Sequence, residues 1–221
     1  MDLGALVNTA WDAYRTVQEH HPVLGSMLTA TVTFPFADIT SQLITDKNVD
    51  WKKVRYTLGL SPLYGLGIHA LMQSGELVEK YISAKPLAKA ALGPNLWSNA
   101  HVTFFYVNNT VGERTEYKLH KWAQHYMKLC GNLFSVKNSR QERWAAFRDA
   151  YLKNIPLREY LYSVASTLTF WNAFQYMNYT AISKEMQTPA SLAVGALWGI
   201  VISCWSLVGR RKIVAAGIRK Q

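Results

Sequence analysis

Apolar residues along this chain gather in five long runs separated by charged stretches, and polar residues recur inside several of them at helical spacing. The run Thr188 to Gly209 holds 22 residues without a charged side chain, long enough to cross a bilayer core of about 30 Å. The run at about 161–182 carries Trp171, Gln175 and Asn178 at i, i+4 and i+7, followed by Tyr179, so these side chains share one helical face. Two more runs lie at about 23–44, where Asp38 is the one charged residue, and at about 90–111. Another, at about 56–82, holds Pro62, Gly65, Gly67, His69 and Glu76. Ahead of them, Leu3, Leu6, Val7, Ala10, Trp11, Tyr14 and Val17 suit a short amphipathic helix. Between 112 and 160 the chain turns basic, and Glu142 to Arg148 reads as a surface helix ending near Pro156.

This pattern predicts an all-α fold. It is a polytopic transmembrane helix bundle of four to five spans, with an N-terminal amphipathic helix and a long basic loop bearing a surface helix. One membrane domain is expected over 1–221: the amphipathic helix in 1–20, three spans in 23–111, the basic loop in 112–160, two spans in 161–209 and a basic tail in 210–221. Charge placement favours five crossings. With five, nineteen of the 24 Lys and Arg fall on one face; with four, the split is 14 to 10. The positive-inside rule then sets the N-terminus on the outer face.

Hydrophobic content is 49% while mean hydropathy is only −0.05, because the charges sit between the apolar runs. The net charge of +10 follows from the same asymmetry, so no nucleic-acid partner is expected. The settings of Cys130, in a basic stretch, and Cys204, in an apolar run, argue against a mutual disulfide. Asp2, Asp12 and Glu19 against Arg15 make the first helix a poor cleavable presequence, so import into an organelle would use internal signals.

Four runs carry a polar face. Asp38 and Gln42 are i, i+4; His69, Gln73 and Glu76 are i, i+4, i+7; His101 and Asn108 are seven apart; Gln175 and Asn178 complete the set. Asp38, Gln42, His69, Gln73, His101, Trp171, Gln175 and Asn178 are therefore the bundle-interior or pore-lining candidates, since ionisable groups facing lipid are costly. Two arrangements satisfy them: a water-filled pathway, or a closed bundle joined by interhelical hydrogen bonds of about 0.6 kcal/mol each. The closed bundle is the first expectation. Asp38 should be neutralised by desolvation or paired with Arg55 or a histidine. Glu76 and Glu79, nearer a boundary, should be solvated or snorkelling.

Trp51, Tyr56, Tyr81, Trp97 and Tyr160 fall near run ends, where interfacial aromatic belts form. Lys52, Lys53, Arg55, Arg210, Arg211 and Lys212 are expected to meet lipid headgroups or an acidic partner surface. His120 and His125, at i, i+5, are ill-placed as paired ligands, and no metal is expected. No nucleophile adjoins an evident base, and no glycine loop cradles phosphate, so an enzyme is not expected. The sequons at Asn108 and Asn178 lie in apolar runs and read as chance.

Trp171-Asn172-Ala173-Phe174-Gln175-Tyr176-Met177-Asn178-Tyr179 resembles the W-P-x-x-Q-x-x-N-F signature of the Mpv-seventeen and twenty-two-kilodalton peroxisomal membrane protein family. Trp198 and Ser203 are similar to the Trp and last Ser of that family's W-N-x-Y-L-S ending. His21-Pro22 and Asp38 to Gln42 resemble its P…G-D-x-x-x-Q element, and Arg55, Gly59, Gly65 and His69 its R…G…G-P-x-x-H element. Asn172, Ala37, Leu66 and Gly199 depart from the pattern, standing where the family has Pro, Gly, Pro and Asn. The resemblance implies a small non-catalytic protein of the mitochondrial inner or peroxisomal membrane, some of whose relatives are associated with channel-like conductance. Gly59, Gly65 and Trp198 are the packing positions it suggests.

Two roles follow. The first expectation is a structural accessory subunit of a respiratory-chain or ATP-synthase type complex in the mitochondrial inner membrane. Neighbouring subunits would hold both termini and cover an outer stripe formed by Leu192, Trp198 and Leu207. The alternative is a free-standing channel or solute-conducting protein, in the inner or the peroxisomal membrane. In either case the partners are membrane lipids, with bound phospholipid such as cardiolipin in place of a cofactor, and no small-molecule substrate is identified.

Overall fold

The computed structural model describes residues 3–134, 139–148 and 157–215, with side chains from Gly4 to Cys204 apart from residues 146, 159, 202 and 203. Every element among them is helical. The amphipathic segment is α1 (Leu3–His20), and the first two apolar runs are α2 (Pro22–Asp46) and α3 (Trp51–Tyr81). The third run is α4 (Pro86–Ala90) continued by a π turn, Ala91–Asn95, into α5 (Leu96–Arg114). The basic stretch holds α6 (Leu119–Phe134) and α7 (Arg140–Phe147). The fourth run is α8 (Leu157–Ser166), a second π turn at Thr167–Trp171, and α9 (Asn172–Ala181), and the last is α10 (Lys184–Ala215).

Local chemistry sets these boundaries. Proline opens α2 and α4 within their first two positions, where no N–H is needed. Lys47, in the left-handed region at φ 54°, ends α2, and the Asp50 side chain accepts from the backbone N–H groups of Lys52 and Lys53 to start α3. Ser139 and Glu142 form a reciprocal capping box on α7. Gly93 leaves helical dihedrals (φ −86°, ψ −111°) just before Pro94, and there the third rod presses on α3: a Cβ on Gly93 would lie 2.6 Å from the Gly75 Cα.

Five long rods result. α2 and α3 form the most extensive contact, α10 lies against both, the third rod packs on α3, and the fourth packs on the third and on α10. The start of the third rod, α4, meets the end of the fourth, α9, while α5 meets α8, so these two rods run antiparallel. Gly65 marks a close approach of α2 and α3. A Cβ there would fall 2.5 Å from the Ser26 carbonyl oxygen and 2.8 Å from the Met27 Cα.

Polar side chains are packed inside the rods beside apolar ones, and several large aliphatic and aromatic residues are left outside. Ser26, Ser41, Gln42, Ser61, Asn108, Ser163, Thr167, Gln175, Asn178 and Ser191 are buried, whereas Val32, Phe36, Ile44, Leu168 and Leu197 are each at least 60% exposed. Among the described residues one helix, Pro22–Asp46, is long and apolar enough by length and composition to cross a membrane. An aromatic cluster of Tyr56, Leu60 and Tyr64 with Phe34, Phe104, Phe105, Tyr117 and Trp122 fills the core nearer the basic end.

Several expectations are corrected. Tyr56 is no belt residue: it is 3% exposed, and its hydroxyl donates to the Asn108 carbonyl oxygen at 2.9 Å. Trp51, Tyr81 and Trp97 do sit on the outside. The basic stretch contains a second helix, α6, in addition to the surface helix α7. Leu119, Trp122, Tyr126, Leu129 and Leu133 recur along it at spacings of three and four, and it docks through Asn108. Leu192 does not face outward but is fully buried, and Trp198 stacks on Phe170 at 5.3 Å. The expected end of the surface helix near Pro156, the side chains of Leu207, Ser203 and Arg210 to Lys212, and the chain tips lie outside the described residues.

Candidate functional site

Between the rods lies a half-open recess with about 820 Å³ of empty space, the open solvent at its mouth included. Its walls are mainly apolar and aromatic: Ile68, Leu71 and Met72 from α3, Val102, Phe105 and Tyr106 from α5, Trp171 from the second π turn, and Gly195, Trp198 and Gly199 from α10. Polar atoms come from Asn95, Ser98, His101, Thr167, Gln175 and Ser191. Among the described lining residues none is Asp, Glu, Lys or Arg. The shape and lining, apolar with a few placed polar groups, are those of a small-molecule site.

A second, smaller compartment of about 380 Å³ is lined by Phe34, Ala37, Asp38, Lys53, Thr57, Phe105, Asn109 and Gly199. Position along each rod orders the two. Phe34 precedes Asp38 on α2, and Phe105 precedes Asn109 on α5. On α3, which returns the other way, Lys53 and Thr57 line the smaller compartment while Ile68 to Met72 line the larger. The compartments are therefore stacked along the bundle, the smaller one forming a vestibule toward the 46–51 connection. Tyr64 props both aromatic rings at the junction, its centroid 5.2 Å from Phe34 and 6.0 Å from Phe105.

The vestibule holds an ion pair. The Asp38 carboxylate is 3.2 Å from the Lys53 Nζ and accepts from the Thr57 hydroxyl at 3.2 Å. Its partner is thus Lys53, neither Arg55 nor a histidine, because a residue two positions before Arg55 faces α2. Arg55 and Lys52 are exposed, where headgroup contact remains open to them, whereas Lys53 turns inward. Gln42, buried one turn beyond Asp38, braces the hairpin: its Oε1 accepts from the Asp50 N–H at 2.6 Å.

At the other end the cavity is floored by hydrogen bonds. Gln175 Nε2 donates to Ser191 Oγ at 3.1 Å. Asn178 Nδ2 reaches Ser191 Oγ at 3.0 Å and both Gln175 Oε1 and the Gln187 carbonyl at 3.1 Å. Ser191 in turn approaches the Met72 sulfur at 3.4 Å. Beyond this floor lies a cluster of ions joining three rods. Glu76 accepts from Lys89 at 3.1 Å and from Lys184 at 2.7 Å; Lys89 also meets Glu79 and sits 4.5 Å over the Tyr179 ring. The hydrogen bond to Glu76 and its charge raise the Lys184 ammonium above the ordinary lysine value. Glu79 is exposed, as a solvated or snorkelling position requires, whereas Glu76 is half-buried within the cluster.

The stripe on the fourth rod thus faces inward: Gln175 and Asn178 are buried and Trp171 lines the cavity. His101 lines it too, edge-on to Tyr64. His69 is half-buried with its Nδ1 3.4 Å from Ser26 Oγ, and Gln73 lies exposed, away from the bundle interior. Asn108 is more central than its neighbours in sequence suggest. At 1% exposure, its Oδ1 accepts from Trp122 Nε1 at 2.9 Å and from the Tyr126 hydroxyl at 2.7 Å, and its Nδ2 donates to the Tyr64 hydroxyl at 3.2 Å. Gly59 receives the Leu119 side chain of α6. The signal for this hub was the Leu119–Leu133 periodicity, hidden within a basic stretch.

No family model matches this chain, no curated protein matches it, and no solved structure matches it.

Proposed function

We propose that this chain is a non-catalytic membrane protein whose five rods cross the bilayer and enclose a route for small solutes. The observation that carries this reading is the stacking of vestibule and cavity along the bundle, lined by residues in register on α2, α3, α5 and α10. The membrane assignment draws support from small and polar residues packed inside and large aliphatic ones left outside. Each rod is long enough at 1.5 Å per residue to exceed a core of about 30 Å. Alkaline extraction and reconstitution test the proposal together. The protein should remain with membranes, and vesicles containing it should become permeable to at least one member of a panel of small ions and neutral solutes. Release by alkali, or vesicles tight to the whole panel, would defeat it.

The motif resemblance supports a place in the Mpv-seventeen and twenty-two-kilodalton peroxisomal membrane protein family, and with it the mitochondrial inner membrane. A second reading, the accessory subunit, draws on α1. Its apolar face, with Leu6, Val7 and Trp11 each about half exposed, packs on the rods only near its C-terminal end. Native electrophoresis tests that reading: co-migration with a far larger respiratory assembly supports it, and migration as monomer or small homo-oligomer opposes it.

A further inference from the structure

The vestibule and the cavity have three lining residues in common, Phe34, Phe105 and Gly199. Two are aromatic rings held by Tyr64; the third has no side chain at all. Among the described residues, a Cβ built on Gly199 meets nothing within 4 Å, which leaves space in the partition beside α10 at this level. At Gly195, one turn away, a Cβ would already touch the Trp171 ring at 3.9 Å.

Building on the solute-conducting reading above, we propose that the two compartments are one passage for small uncharged polar solutes, with Phe34 and Phe105 as its partition, Gly199 as the gap beside them, and the Gln175–Asn178–Ser191 floor as the contact that parts when a solute leaves. Charge decides the solute class. The ion pair that the described residues place in the vestibule, Asp38 with Lys53, is internally neutralised, so it offers an ion of either sign no uncompensated counter-charge. Between the partition and the hydrogen-bonded floor no described lining residue is Asp, Glu, Lys or Arg, and most of the wall is hydrocarbon or ring face. An ion entering would give up its hydration shell for little in return. A neutral solute with a few donors and acceptors loses far less, and Ser98, His101 and Gln175 give it partners. Glycine at 199 sets the width of the gap, because any larger residue on that face of α10 projects into it.

Vesicles reconstituted with the full chain test this by light-scattering osmotic swelling in urea and glycerol, beside planar-bilayer recording in potassium chloride. Urea and glycerol should enter several-fold faster than into protein-free vesicles, with no unitary current. Gly199→Phe should bring entry back toward the protein-free rate, and Gly199→Ala should retain most of it. Should Gly199→Phe not fold, Phe34→Ala trims the partition instead and should speed urea entry. Potassium chloride currents in vesicles tight to urea and glycerol would overturn the solute class while leaving a conducting protein. Tightness to every solute and ion would overturn the conducting reading as well. Neutral flux unchanged in folded Gly199→Phe, or in Phe34→Ala, would overturn the partition.

Discussion

Asp38 and Lys53 meet across the α2–α3 hairpin, carboxylate oxygen to ammonium nitrogen at 3.2 Å, with the acid side chain 9% exposed and the base 29%. Removing one partner leaves the other partly buried and unpaired, which costs more than the pair itself contributes. Asp38→Asn should destabilise the protein by about 2 kcal/mol, less than for a fully buried pair because Lys53 still reaches water. Asp38→Leu combined with Lys53→Met should recover most of that loss. Thermal unfolding in detergent checks it, and a double variant less stable than Asp38→Asn would refute the pairing argument.

Asn108 joins α3, α5 and α6 through one side chain. Asn108→Leu removes at once the partner that the Trp122 indole N–H, the Tyr126 hydroxyl and the Tyr64 hydroxyl share, whereas Trp122→Phe removes one donor. The expected losses are roughly 3 and 1 kcal/mol respectively. Hydrogen exchange along α6 should rise steeply in the first variant and slightly in the second; equal protection in both would contradict a shared hub.

A pH dependence follows from His125 on α6. Burial first, then the nearby cations Arg114 and Lys128, lower its imidazole below the ordinary value of 6.5. As pH falls through that value the unfolded chain binds the proton more readily than the folded one. Stability from neutral His125 is therefore complete above about 6.5 and is lost toward the lowered folded value. Exchange of α6 amides should quicken on mild acidification, and His125→Gln should flatten the response. A response persisting in full in that variant would assign it to another group.

Gly65 and Gly199 should respond oppositely to alanine. Gly65→Ala drives a methyl into the backbone of α2 near Ser26 and Met27, and a shift of packed helices is needed to relieve it. The expected loss is about 2–3 kcal/mol. Gly199→Ala meets open space and should gain slightly from the better helix propensity of alanine. Detergent unfolding curves of the two variants decide the matter.

The five crossings proposed above would place the chain ends on opposite faces. Protease protection of tags at the two ends, in sealed organelles stripped of their outer membrane, should show the C-terminal tag on the basic, matrix-like side and the N-terminal tag on the other. Tags on one face would require an even number of crossings.

Helix positions were legible in the sequence because they rest on local periodicity, and a 3.6-residue pattern survives whatever the tertiary surroundings. The five rods, the amphipathic α1 and the inward face of Gln175 and Asn178 all follow from spacing alone. A π turn shifts a rod by about one residue without erasing its apolar pattern, so the interruptions at Ala91–Asn95 and Thr167–Trp171 left no trace in the runs. The α6 helix was legible in principle through Leu119 to Leu133, but charge between those positions masked it.

What only the tertiary structure decided was which face meets which. Spacing along α3 shows that Lys53 and Arg55 differ by two positions, yet it takes the rotation of α3 against α2 to point one at Asp38 and the other outward. The same holds for Leu192, which spacing left free to face lipid and helix packing buried completely. Gly199 is the clearest case. Its sequence context says only that a small residue sits in an apolar helix, and whether that marks close packing or a gap depends on what stands opposite. Chain-local forces choose the helix, but a cavity is a property of several helices at once.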